Sequence, residues 1–84
     1  MHGRLRGTQG ATMTDQERRH LAQADRHIAQ CKDHIARQQK LIRQLARLCQ
    51  STLWAEDMLE ALQASLRAFE AHRKLIVAQM DAEQ

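Results

Sequence analysis

Histidine and cysteine are the residues of this chain whose types and spacing could do chemistry. His20, His27 and His34 recur every seven residues, and Cys31 stands one helical turn from both His27 and His34. On a helix, side chains at i,i+3 and i,i+4 share a face, so His27, Cys31 and His34 could offer a thiolate and two imidazoles to one cation such as zinc. His72 in the second half of the sequence joins them as a fourth candidate if the chain folds back. Members of the histidine column are about 10.5 Å apart along a helix, too far to share an ion without the cysteine. The plainer reading is favoured: histidines flanking an apolar seam, with Cys31 as a small apolar seam residue. No metal and no cofactor is therefore assigned. A catalytic Cys–His pair would need a pocket that two helices do not form, so the chain is read as non-enzymatic. Cys31 and Cys49 lie 18 residues apart, about 27 Å on one helix, and cannot bridge each other.

A second cluster is electrostatic. Arg37, Lys40, Arg43 and Arg47 fall on about a third of a helix circumference, a stripe that attracts a nucleic-acid backbone. No helix-turn-helix pattern and no stacking aromatic accompanies it. Residues 14–49 carry eight Arg/Lys against four Asp/Glu, and residues 53–84 carry three against six. In a folded-back chain Arg43 and Arg47 would lie alongside Glu60 and Glu56. Internally balanced charge is thus the leading reading, and nucleic-acid binding the alternative.

The elements that position these residues are helices. The chain of 84 residues is short enough for one domain only. It has no proline, and its three glycines all lie within the first ten residues. Residues 1–13 show no periodicity and read as a disordered arm, and Met13 is the expected true start. Thr14 and Glu17 have capping-box spacing. A heptad seam follows at Leu21, Ala24, Ile28, Cys31, Ile35, Gln38, Ile42 and Leu45, ending at Cys49. A second runs through Leu59, Leu62, Leu66, Phe69, Arg73, Ile76 and Met80. Polar Gln38 and Arg73 interrupt these seams, as residues that set register do. Between the seams, bases close one segment, acids open the next, and Ser51 or Thr52 supplies a capping hydroxyl.

The spacing therefore predicts an all-α, coiled-coil-like antiparallel hairpin: helix 14–49, turn 50–52 and helix 53–82. A single continuous rod is the rejected alternative. Trp54 is expected to cover the hairpin end against Leu48 and Leu53. The stretch Thr14–Ile28, the stretch Ile35–Ile42 and the closing Leu59–Ile76 with His72-Arg73 resemble short uncharacterised bacterial helical-hairpin proteins, over about residues 13–80. Those relatives turn through a glycine-containing loop, which Cys49-Gln50-Ser51-Thr52 lacks. The resemblance implies a shape and no activity.

One seam per helix leaves apolar residues over. Leu41, Ile42, Leu45, Leu48, Trp54, Met58, Leu59, Leu62, Leu66 and Phe69 form the expected interface of a homodimer, assembled as a four-helix bundle. The expected function is protein–protein interaction, as an adaptor or regulator, with itself or another helical protein as partner. A metal- or redox-responsive helical switch is a further alternative. No apolar run approaches the roughly 20 residues of a membrane span, and the expected address is the cytoplasm.

Overall fold

The computed structural model of the chain describes residues 14–82. The expected arm 1–13 and the start at Met13 lie outside the described residues. Two antiparallel helices, α1 (Asp15–Arg47) and α2 (Leu53–Ala82), pack along their length, and no strand occurs among the described residues.

Helix α1 starts as its first four residues dictate. The Glu17 N–H donates to Thr14 Oγ1 at 3.1 Å, and the Thr14 N–H donates to Glu17 Oε1 at 3.0 Å. Two of the amides that a helix start leaves without partners are satisfied reciprocally. Asp15 and Glu17 add negative charge at the positive end of the dipole.

Helix α1 ends at Arg47, with Leu48 as its C-cap. The Gln50 N–H donates to Leu45 O at 2.9 Å, and the Cys49 N–H to Ala46 O at 3.0 Å. This is the paired 6→1 and 5→2 bonding of a Schellman motif, which needs a left-handed residue just beyond the cap. Cys49 takes that place, with φ 56°. A chain without glycine here still turns, because one non-glycine residue accepts a conformation that costs about 1–2 kcal/mol. Cys49 is consequently exposed and not buried on the seam. Cys49→Gly should raise stability by about 0.5–1 kcal/mol, the relieved strain less the extra freedom of an unfolded glycine. Urea midpoints at fixed protein concentration check this, and a lower midpoint for the variant would count against it.

Helix α2 begins after Thr52. The Ser51 hydroxyl accepts from the Leu53 N–H at 3.4 Å, while the Thr52 hydroxyl donates to the Glu56 carboxylate. The first helical bond, Glu56 N–H to Thr52 O, is 2.8 Å.

Contacts between the helices show their register. The Cys31 thiol donates to Leu62 O at 3.3 Å, and Gln38 Nε2 to Ala55 O at 2.9 Å. One heptad forward on α1 is one heptad back on α2, which is antiparallel pairing without slippage. Farther from the turn, the His27 ring packs on Phe69 with centroids 5.2 Å apart, and Arg73 Nε donates to Asp25. The seam is thin. Its buried apolar members are Ala24, Cys31, Ala55 and Met80, and the leucines and isoleucines along it are half-buried. Two helices offer little material to surround a large side chain, so most of the large seam residues keep an open flank, with Gln38 and Met80 the buried exceptions.

Candidate interaction surface

The two polar seam residues both find partners across the hairpin. Gln38 is buried, and its amide meets a carbonyl of α2 where Ala55 lets the backbones come close. Arg73 reaches Asp25 on the flank. That ion pair is about half exposed and contributes under about 1 kcal/mol. No buried side-chain nitrogen or oxygen among the described residues lacks a hydrogen-bond partner.

The structure brings His27, Cys31 and His34 to one shallow hollow, together with Leu62, Ser65 and Phe69. His72 does not line it. The Cys31 thiol is engaged with the Leu62 carbonyl and His27 with the Phe69 ring, so both are committed to packing. Among the described residues no three His, Cys, Asp or Glu side chains come together as a metal ion requires.

The basic stripe is exposed throughout. Arg37 pairs with Asp33 within its own helix at 2.8 Å. Arg43 and Arg47 make no ion pair with Glu60 or Glu56, contrary to the expected pairing. Their heptad positions explain this. Arg43 and Arg47 fall on the outer face of α1, Glu60 falls on the outer side of α2, and the Glu56 carboxylate accepts the Thr52 hydroxyl.

The residues expected at an interface divide in two. Leu41, Ile42, Leu45, Leu59, Leu62, Leu66 and Phe69 are half-buried along the hairpin's own seam. Leu48, Trp54 and Met58 are exposed, as are Leu53 and Leu75, all between 45% and 73%. Trp54 therefore does not seal the turn. At 58% exposed it stands in solvent beside Leu48 and Leu53, which are more open still. The indole follows the outer side of the first turn of α2, where none of the described residues covers it.

No family model, curated protein or solved structure shows significant similarity to this chain.

The two helices differ in how they treat their outer faces. α1 is amphipathic, with a seam on one side and Arg, Lys, Gln and Asp on the other. α2 is apolar on both sides. Opposite its seam run Trp54, Ala61, Ala68 and Leu75 at seven-residue spacing, with Ala64, Ala71 and Ala78 in the next column. All seven are exposed. Asp57 is the one charge on this face, and most charges of α2 gather elsewhere: Glu60, Arg67, Lys74 and Asp81 form one column, and Glu56 and Glu70 belong to another. A reading aimed at the seam passes over this face because alanine is also the best helix former. The available signal was the repeat of 3 and 4 residues continuing through those alanines. No helix of the described residues is long and apolar enough to cross a membrane.

Proposed function

We propose that this hairpin is a non-enzymatic interaction module that self-associates, a homodimer of four helices serving as an adaptor or regulator in the cytoplasm. One observation carries the reading: five large apolar side chains stand 45–73% exposed on a chain whose own seam, among the described residues, buries three small apolar residues, one methionine and one glutamine. Such a surface marks an association site more often than a free one. Trp54 is the expected anchor, since tryptophan is enriched among the few residues that dominate interface energies. Sedimentation equilibrium at tens of micromolar should give twice the chain mass. A monomer at that concentration would overturn the reading.

The unpaired Lys40, Arg43 and Arg47 favour a second reading, nucleic-acid binding along the outer face of α1. Retention on duplex DNA should then fall steeply between about 50 and 200 mM salt, as counterion release requires. No retention at the lower salt concentration would dispose of it.

A further inference from the structure

Helix α2 carries two seams, and the hairpin uses one. The unused face alternates steps of 4 and 3 from Trp54 through Ala61, Ala64, Ala68, Ala71 and Leu75 to Ala78, a repeat that keeps one stripe facing one partner helix. It runs about 36 Å along the axis. Asp57 is its only charged member. Large residues stand at its ends and alanines fill its middle, so two backbones can approach closely at the centre.

The pattern is complementary to itself when reversed. Lay a second α2 antiparallel across the first, with a two-fold axis between Ala64 and Ala68. Trp54 then falls opposite Ala78 of the second copy, and Ala61 opposite Ala71. The largest side chain meets the smallest, as interdigitated helices need. The charged flank completes the match. Glu60 falls opposite Lys74 of the second copy, twice by symmetry, and neither residue makes an ion pair within its own chain. Arg67 meets its own copy near the axis and Asp57 falls opposite Leu75, the two unfavourable contacts of this register. A parallel arrangement would instead set Trp54 on Trp54 and Asp57 on Asp57, and would carry Glu60 and Lys74 to opposite sides of the interface.

We propose that the outer face of α2 is the interface of an antiparallel homodimer, α2 against the α2 of a second copy, registered by reciprocal Glu60–Lys74 pairs. This rests on the self-association reading above and names its surface. Because the face lies opposite the hairpin seam, the four helices stand in a row, α1–α2–α2–α1, and not in the square bundle that the sequence suggests.

Two variants test the surface and its direction. Ala68→Glu puts a carboxylate at the centre of an exposed face, so the hairpin should keep its helical circular dichroism and sediment as a monomer. Glu60→Lys alone and Lys74→Glu alone each turn two attractions into repulsions and should weaken the dimer about tenfold. Mixed in equal amounts, the two variants should form a heterodimer at least as tight as the native dimer, because both pairs are then restored between chains. A folded Ala68→Glu variant that still dimerises at native strength would overturn this surface while leaving self-association standing. Dimers that form without preferential mixing of the two charge variants would overturn the antiparallel register. A native chain that is monomeric at tens of micromolar would overturn both this proposal and the self-association reading, and would leave the face to a different helical protein.

Discussion

Replacing Ala55 with leucine should lower the melting temperature by more than about 10 °C. Ala55 is fully buried, 0% exposed, three residues into α2. Its methyl group is what lets α1 approach closely enough for Gln38 Nε2 to reach the Ala55 carbonyl at 2.9 Å. Three further carbons have no space beneath them. Overpacking of this kind costs about 1–3 kcal/mol. Pushing the helices apart also strands the Gln38 amide, and a buried donor left unmade costs about 1–3 kcal/mol more. In a domain this small 1 kcal/mol moves the midpoint by about 4–8 °C. Thermal melts at one protein concentration give the answer. An unchanged midpoint would mean that the seam near the turn is loose. The two costs share one contact, so Gln38→Ala should subtract less in the Ala55→Leu background than in the native one.

Local rules carry far in this chain. The capping box at Thr14 and Glu17 closes as its spacing requires, and the heptad steps place Cys31 and Gln38 on the buried side of α1. The fold-back was legible from bases, then hydroxyls, then acids, because each answers a helix end. The position at which α1 stops was less so. That depends on one residue taking a left-handed backbone, and cysteine carries no sign of it where glycine would have. Charge summed over each half of the chain misled about pairing. Opposite totals say nothing about which side of each helix the charges occupy, and Arg43 and Arg47 lie on the outer side. Trp54 misled for a related reason: an aromatic beside a turn suggests a lid, yet helical phase at the start of α2 turns it outward. The second face of α2 is written in alanines, whose meaning as helix formers conceals their meaning as surface.

Leu66→Ala and Leu75→Ala remove the same atoms from the same helix and should differ widely in effect. Leucine and alanine have similar helix propensity, so the substitution reports mainly what surrounds the side chain. Leu66 is half-buried in the hairpin seam. A fully buried leucine loses about 2–5 kcal/mol on truncation, and an open flank reduces this, so about 2 kcal/mol is expected for Leu66. Leu75 is 67% exposed and should change the stability of the isolated hairpin by no more than about 0.5 kcal/mol. Both are measured by urea unfolding at low micromolar concentration, where association contributes least. Equal losses at that dilution would show that Leu75 is covered within its own chain. Concentration then separates the two residues further. Anything that binds the folded state raises its apparent stability by mass action, so a native dimer melts higher as concentration rises. Leu66→Ala should lower the whole melting curve while leaving that rise intact. Leu75→Ala should leave the dilute melt unchanged and flatten the rise, because its side chain belongs to the face proposed to meet a second copy.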